Sequence, residues 1–482
     1  MVSIAEANRV DLARRQVIDN KYSVAAWIVL LKDNQHKPIE QKREFFEELL
    51  LNFPLCSRFW RSYIECEIQT RNYEHAERLF RLCLDKVPSI DLWKLYISYV
   101  KDIHSQLTSK DKTIISQAYE YALKRVGMDV MSNTLWIEYI TFLKSIEASG
   151  SYAENQKCAA IRKVYQQAIQ TPLSNIELIW KDYCAFENGL NVTVAKKTIE
   201  ELNKDYLNIR RASKELDNVT RSLDRNVVSI PPLRTLDERK QIAAWKKYIN
   251  WEKNNSIRSE DEYLVTQRVM FAFEQCLLCY SHHMDIWYGC AEYLRSRGEE
   301  NVYITDSMLR KRLLDETARI YESAITSTMK DTMLMYFAYA DFEESRLNID
   351  KSNEVYQRLL SSENINPTLC YILYMRFAQR TNGIKAFRDV FESARKDSRC
   401  AHQIYTAAAQ IEYFCTKDLE LAKSIIAVGL KRYSDNAEYV LDSIEFLKHI
   451  QGENDNVRRI YENATINLTQ KALLPANNKS YG

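Results

Sequence analysis

The chain has 482 residues, of which 46% are hydrophobic, and 67 Lys and Arg against 65 Asp and Glu leave a formal charge of +2. Only 9 glycines and 8 prolines occur, which excludes β-sandwiches, barrels and propellers, because these folds need a turn about every 8–12 residues. The hydrophobic content excludes a disordered chain, and the balanced charge gives no overall field for nucleic acid, so any RNA contact must be local.

Residues 1–24 are polar with helical spacing, and we expect them to form an N-terminal capping segment. They lack the apolar core of about 7–15 residues that a signal peptide needs. No uncharged apolar stretch of about 18 residues, long enough to span a membrane, occurs in the sequence. The eleven cysteines, scattered from Cys56 to Cys415, are therefore expected to be reduced and buried. The sequence predicts an intracellular protein with no membrane contact.

A helical signature begins at Trp27 and recurs along the chain. Trp60, for example, is followed by Tyr63 and Glu67, and this i, i+3, i+7 spacing places all three on one helical face. Seven of the eight tryptophans take the first position, and tyrosine takes it in later repeats, so that the first positions are 27, 60, 93, 136, 180, 245, 287, 336, 371, 405 and 439. The signature residues are Trp27, Trp60, Tyr63, Glu67, Trp93, Tyr96, Trp136, Tyr139, Trp180, Tyr183, Glu187, Trp245, Tyr248, Glu252, Trp287, Tyr336, Tyr339 and Glu343.

A second helical segment lies between successive first positions. In it an apolar–aromatic pair precedes a small residue, as in Leu79-Phe80 with Cys83 and Ile320-Tyr321 with Ala324. We interpret the aromatic residues as core between paired helices, and the recurring glutamates as structural, through capping or pairing within each repeat. About eleven such pairs predict an all-α fold, a superhelical solenoid in two halves.

The repeat spacing is interrupted most strongly between Trp180 and Trp245. A charged run over about 194–222 predicts one extended helix, and Pro231-Pro232 then forces an extended segment. The predicted organisation is a capping segment at 1–24, an N-terminal repeat domain at 25–215, a linker with Pro-Pro at 216–240, a C-terminal repeat domain at 241–464 and a non-repeat tail at 465–482.

We predict no catalytic, cofactor-binding or metal site. No two glycines are closer than nine residues, so phosphate-binding loops cannot form, and no G-x-S-x-G nucleophile elbow occurs. Cys276, Cys279, His282 and His283 have the spacing of metal ligands. However, structural zinc sites usually combine two pairs from separate segments, and Cys276 already fills the small-residue position of its helix. We therefore expect buried thiols there.

Four basic pairs are the candidates for RNA contact. We expect each to be a solvated helix face, because an RNA-binding stripe needs several pairs aligned along one groove. The pairs are Lys196-Lys197, Arg210-Arg211, Lys246-Lys247 and Arg458-Arg459.

The two helical signatures resemble the half-a-TPR (HAT) repeat, which is associated with RNA-processing complexes. No repeat here carries the glycine of the TPR signature W-x-x-L-G-x-x-Y. Longer stretches, among them VGMDVMSNTLWIEYITFLK (126–144), WKKYINWEK (245–253) and YFAYADFEESR (336–346), resemble the suppressor-of-forked family. That family provides the large HAT subunit of cleavage stimulation factor, and the resemblance covers about residues 20–462.

The resemblance implies a non-catalytic scaffold of the nuclear machinery for mRNA 3′-end cleavage and polyadenylation. Its implied partners are the other cleavage stimulation factor subunits and polyadenylation factors, with RNA contacted indirectly. It further implies a homodimer through the C-terminal HAT domain at 241–464. Family members continue with another HAT repeat and a proline-rich tail that grips the RNA-binding and WD-repeat subunits. Here residues 465–482 contain one proline, so we expect this form to dimerise without recruiting the RNA-binding subunit.

Two alternatives remain open from the sequence. A HAT scaffold of the spliceosome or of ribosomal RNA processing would have the same repeat spacing, and only the longer stretches favour 3′-end processing. An enzyme of the same shape, the helical-repeat α subunit of a protein prenyltransferase, has repeats that resemble N-Y-x-x-W-x-x-R. No tryptophan of this chain has that frame.

Overall fold

The computed structural model describes residues 4–35, 37–106, 108–147, 150–300, 307–450 and 454–473. Within these ranges the chain forms 22 α-helices and one π-helical turn, and no strand. The predicted all-α fold is therefore confirmed. None of the helices in these ranges is both long enough and apolar enough to cross a membrane.

One helix precedes the repeats, and each repeat is then a pair of helices, which we call A and B. The helix before the repeats is α1 (Ile4–Asp19). Repeats 1 to 6 are α2 and α3 (Val24–Asn34, Ile39–Asn52), α4 and α5 (Ser57–Gln69, Tyr73–Cys83), α6 and α7 (Ile90–Ile103, Ser109–Val126), α8 and α9 (Asn133–Ser145, Ser151–Ile169), α10 and α11 (Ile176–Leu190, Val192–Thr220), and α12 and α13 (Leu236–Lys253, Glu262–Tyr280).

Five further pairs bring the number in the described residues to eleven, as the sequence predicts. Repeats 7 to 11 are α14 and α15 (Met284–Glu300, Ser307–Thr326), α16 and α17 (Met333–Ser345, Ile349–Leu360), the two arms of α18 (Thr368–Lys396), α19 and α20 (Gln403–Ile411, Leu419–Arg432), and α21 and α22 (Ala437–Lys448, Asn454–Leu473). The π-helical turn Glu412–Thr416 directly follows α19. The arms of α18 meet at Gly383, whose φ of 80° and ψ of −171° are accessible to glycine alone without strain.

Polar side chains at the N-termini fix where several helices begin. Each accepts a hydrogen bond from a backbone N–H of the first turn, which has no partner inside the helix. These N-cap residues are Thr108, Asn191, Thr235, Asp261, Asp418 and Asn436.

The chain forms two compact units, residues 1–317 and 318–482. The predicted linker at 216–240 lies inside the first unit, and the division of the repeats into two domains at that point stays a prediction. The extended helix expected over about 194–222 is α11. The last helix, α22, continues to Leu473, past residue 464, where we expected the repeats to end, and residues 474–482 of the predicted tail lie outside the described residues.

Candidate functional site

All eleven first positions lie on the A helix of a repeat, but their burial differs. Trp27 and Trp245 are buried almost completely, at 1% and 0% exposure. Trp60 and Trp180 are only partly buried. The signature aromatics that are buried, besides Trp27 and Trp245, are Tyr63, Trp93, Trp136, Tyr139, Tyr183, Tyr248, Trp287, Tyr336 and Tyr339, whereas Tyr96 is partly buried.

Four of the first-position tryptophans also hold the loop that leads into helix A. The indole N–H of Trp27, Trp60 and Trp287 donates to the backbone carbonyl six residues earlier, at distances of 2.8, 2.8 and 2.7 Å. Trp136 donates to the carbonyl of Gly127 at 3.2 Å. These tryptophans therefore hold the inter-repeat loop as well as filling the core, a role that the sequence pattern did not suggest.

The tyrosine three residues after the first position packs on the B helix of the preceding repeat. Tyr63 stacks on Phe46 at 4.8 Å between ring centroids, and Tyr339 stacks on Tyr321 at 5.4 Å. Tyr139 stacks on Tyr119 and Tyr374 on Tyr356, whereas the rings of Tyr183 and Tyr165 are tilted by 54°. Aromatic pairs in these geometries contribute about 0.5–1.5 kcal/mol each beyond their buried area.

The glutamate seven residues after the first position forms an ion pair with an arginine of the preceding repeat. Glu67 accepts two hydrogen bonds from Arg43, at 2.7 and 2.8 Å, and is itself fully buried. Two further pairs have the same two-bond geometry, Arg162 with Glu187 and Arg388 with Glu412. Hydrogen bonding to the carboxylate raises the pKa of each of these guanidinium groups.

Our expectation that the glutamates pair within each repeat is thus wrong for these pairs, which join two repeats. It holds for Glu252, whose partner Arg268 lies on the B helix of the same repeat and is equally buried. Glu343 accepts from the Asn348 side chain at 3.0 Å and lies 3.6 Å from Arg346.

The arginines were missed at the sequence level, although a signal for them exists. Arg43, Arg162 and Arg388 precede their glutamates by 24, 25 and 24 residues. A search for charges recurring at a fixed distance from each glutamate would have found them, whereas the signature was sought only within helix A.

The segment 221–235, which contains Pro231-Pro232 and which we call the Pro-Pro segment, packs against residues distant in sequence. Arg225 donates to both carboxylate oxygens of Asp129 at 2.8 and 2.9 Å, and that carboxylate is 4% exposed. Ser229 lies 3.1 Å from Nδ1 of His282, and Val228 belongs to the hydrophobic core. This segment is thus an integral part of the first compact unit.

The four residues with metal-ligand spacing each have another environment. Cys276 and Cys279 are buried, and burial raises the pKa of Cys279 to about 12 and that of Cys276 well above its ordinary value. His282 faces Ser229, and His283 lies 2.9 Å from Glu238. The described residues contain no group of three or more side chains placed to hold a metal ion.

Three of the four basic pairs are at least partly engaged in ion pairs. Arg210 and Arg211 bind Glu177 and Glu215, Lys246 binds Asp285, and Arg458 binds Glu462. The fourth pair, Lys196-Lys197, is exposed on α11. At least one cation is thus paired at three of the four predicted positions.

The structure therefore defines a helical-repeat protein whose signature residues hold successive helix pairs together. The sequence matches the suppressor of forked protein family over residues 8–476. The chain belongs to the suppressor of forked family.

The sequence is similar to three named proteins. The chain is 42% identical to protein suppressor of forked of Drosophila melanogaster, and the match covers 93% of this chain and 63% of that protein. It is 32% identical to cleavage stimulation factor subunit 77 of Arabidopsis thaliana, with 93% and 59% covered. It is 29% identical to the mRNA 3′-end-processing protein rna14 of Schizosaccharomyces pombe, with 94% and 65% covered.

The crystal structure of CstF-77 superposes with a TM-score of 0.55 at 21% identity, over 84% of this chain and 80% of that chain. This likeness supports the fold assignment. The chain spans less than two thirds of the length of the three relatives just described.

Proposed function

We propose that the protein is a non-catalytic scaffold subunit of the nuclear machinery that cleaves and polyadenylates mRNA 3′ ends. The observation that carries this proposal is the match to relatives named for that process, which extends over more than nine tenths of this chain. On this proposal, the protein brings RNA-binding and other processing factors together.

The chemistry of the repeat junctions favours a scaffold over an enzyme. The buried carboxylates of Glu67, Glu187 and Glu412 are each satisfied by an arginine of the neighbouring repeat. A general acid or base needs a group that can exchange protons with a substrate, and these groups instead fix one repeat on the next. Rigid junctions of this kind suit a protein that presents surfaces to partners.

The proposed partners are other cleavage stimulation factor subunits and polyadenylation factors, together with a second copy of this chain bound through residues 241–464. RNA contact is proposed to be indirect. The ion pairs at Arg210, Arg211 and Lys246 support this point, because a paired cation releases fewer counterions on binding phosphate.

The test is affinity purification of the tagged full-length chain from nuclear extract, followed by mass spectrometry. We expect cleavage and polyadenylation factors to be enriched, and to remain enriched after ribonuclease treatment because the contacts are between proteins. Enrichment of spliceosomal or pre-ribosomal factors instead would favour the alternative HAT scaffold. Factors that are lost on ribonuclease treatment would show that RNA carries the contact.

A further inference from the structure

The turn between helices A and B is one residue longer in repeat 10 than in repeats 2 and 8. In repeats 2 and 8 the residue five positions after the buried glutamate donates its backbone N–H to the glutamate carbonyl. Asn72 donates to Glu67 at 3.0 Å, and Asn348 donates to Glu343 at 2.9 Å. In repeat 10 the equivalent bond runs from Asp418 to Glu412 at 3.3 Å, six residues on.

The extra residue is absorbed as the π-helical turn Glu412–Thr416. Glu412 stays buried and accepts two hydrogen bonds from the Arg388 guanidinium, at 2.7 and 3.1 Å. Phe414, in the same turn, is 71% exposed. Single π-helical turns within α-helices are rare and occur frequently at functional sites. The insertion therefore changes the surface of repeat 10 while its junction with repeat 9 is maintained.

The π-helical turn forms one wall of a cavity of about 350 Å³, which we call the repeat-10 groove, and α21 forms the other. Tyr413 lines the groove, and its ring centroid lies 5.0 Å from that of Phe414 and 5.8 Å from that of Phe446. Asp442 and Glu445 supply two carboxylates from α21. The hydroxyl of Thr406, which also lines the groove, is buried and has no hydrogen-bond partner in the described part of the chain.

His449, which directly follows α21, also lines the groove beside the two carboxylates. Neither Asp442 nor Glu445 takes part in an ion pair within the described ranges. Burial raises the pKa of Asp442, His402 lowers it, and the neighbouring Glu438 and Glu445 raise it by smaller amounts. A positive charge entering the groove would relieve this repulsion.

We propose that the repeat-10 groove binds an arginine side chain presented by an extended segment of a partner protein. A guanidinium group is planar, stacks on aromatic rings and binds carboxylates through two parallel hydrogen bonds, and the groove offers both kinds of partner. Its volume is at the lower end of the range for ligand sites, about 300–1,000 Å³, which suits one side chain. The inference rests on the proposed function only in taking the ligand to be part of a protein.

Cys415 gives a direct test, because it is the one exposed cysteine of the eleven and directly follows Phe414, which lines the groove. The full-length chain is equilibrated under mild reduction with two disulfide fragments of equal length, one ending in a guanidinium group and one in a neutral urea. Intact mass and peptide mapping then measure the adducts on Cys415. We expect roughly tenfold preference for the guanidinium fragment, the equivalent of about one ion pair with hydrogen bonds.

The double substitution Asp442→Asn, Glu445→Gln should reduce this preference to near unity, and Phe414→Ala should reduce it several-fold. The matched control is Glu438→Gln, on the same helix but outside the groove, which should retain the preference. Equal capture of the two fragments by the native chain would overturn the proposal, as would a preference that survives the double substitution. A fragment ending in an ammonium group that is captured as well as the guanidinium would overturn the assignment to arginine.

Factor recovery and fragment preference, both measured on the native chain, separate this proposal from the scaffold function. If the native chain recovers no processing factors from nuclear extract but still prefers the guanidinium fragment, the scaffold function fails and the groove stands. If factors are recovered but the fragment preference is absent, the groove proposal fails alone.

Discussion

The buried glutamates of the A helices determine how neighbouring repeats fit together. Removing two charges from water costs several kcal/mol, and their attraction offsets this cost only with good geometry. The pair Arg162–Glu187 has that geometry, with two bonds of 2.6 and 2.9 Å. Such a pair adds little net stability. However, if the two repeats were aligned differently, the carboxylate would be buried without a cation. Its main contribution is therefore to the specificity of the junction.

Replacing Arg162 by Met keeps much of the aliphatic packing and leaves the carboxylate of Glu187, 2% exposed, without its cation. We expect the free energy of unfolding to fall by about 2–3 kcal/mol. This is less than most buried ion pairs cost when one partner is removed, because Arg162 is one third exposed. Hydrogen exchange of the α10 amides should then be faster by roughly 30- to 140-fold, at about 1.4 kcal/mol per decade. The control is Arg61→Met, which removes an exposed pair with Glu65 and should change the exchange of α4 by less than about threefold. Equal effects of the two substitutions would contradict this account.

Two tryptophans of equal burial separate the indole hydrogen bond from packing. Trp287 and Trp93 are 6% and 5% exposed, but Trp287 donates to the Ser281 carbonyl at 2.7 Å, whereas the buried Trp93 N–H has no partner among the residues that the structure describes. Substitution of either by Phe loses similar volume. We expect Trp287→Phe to cost about 1–2 kcal/mol more than Trp93→Phe, because only the first breaks a bond and the second removes an unsatisfied donor. Local hydrogen exchange of α14 and α6 measures the difference, and losses of equal size would assign the role to packing alone.

At the scale of elements, the sequence predicted what depends on short-range periodicity. The A helices follow from the i, i+3, i+7 pattern, and the extended α11 follows from its charged run. The π-helical turn was missed, although its signal lies in the sequence: Asp418 stands six residues after Glu412, whereas Asn348 stands five after Glu343. The packing of the Pro-Pro segment could not be predicted, because its partner Asp129 lies 96 residues from Arg225, and no local pattern records that contact.

The Pro-Pro segment should loosen as the pH falls. Burial lowers the pKa of His282 to about 4, helped by the positive charge of His283 and Lys21, and Nδ1 of the ring lies 3.1 Å from the Ser229 hydroxyl. Because the pKa of His282 in the folded protein lies below the ordinary value of about 6.5, the neutral ring stabilises the fold fully above pH 6.5. This stabilisation is lost as the pH falls toward 4. At pH 5 we expect the local stability of the Pro-Pro segment to be lower by about 1 kcal/mol. This value includes a reduction for solvent screening, because the ring is partly exposed.

Hydrogen exchange of residues 221–235 measures this effect. After correction for intrinsic rates, protection should fall roughly fivefold between pH 7 and pH 5. His282→Gln should remove the pH dependence, whereas His449→Gln, an exposed histidine of the second compact unit, should leave it unchanged. The same pH dependence in His282→Gln would show that another group, such as His283 with Glu238, is responsible.

At the scale of the whole molecule, the second compact unit exposes large apolar side chains that a partner surface could bury. Leu334 and Leu369 are 58% and 45% exposed, and both stand two residues before the first position of their repeats. Their A helices are joined by the ion pair of Arg380 with Glu344. Burying such side chains contributes about 25 cal/mol for each Å² removed from water. This apolar surface lies within residues 241–464, where we propose that two copies meet.

Light scattering of the full-length chain at micromolar concentration should accordingly give twice the chain mass of 56.7 kDa. Replacing both Leu334 and Leu369 by Glu places like charges on the proposed contact and should give the monomer, because each unpaired charge would have to be desolvated. The control is Leu178→Glu, which changes a leucine at the same repeat position and with the same 58% exposure, but in the first compact unit, and should leave the dimer intact. A dimer that survives the double substitution would move the contact to other residues of 241–464, and a native chain that scatters as a monomer would contradict the proposed homodimer.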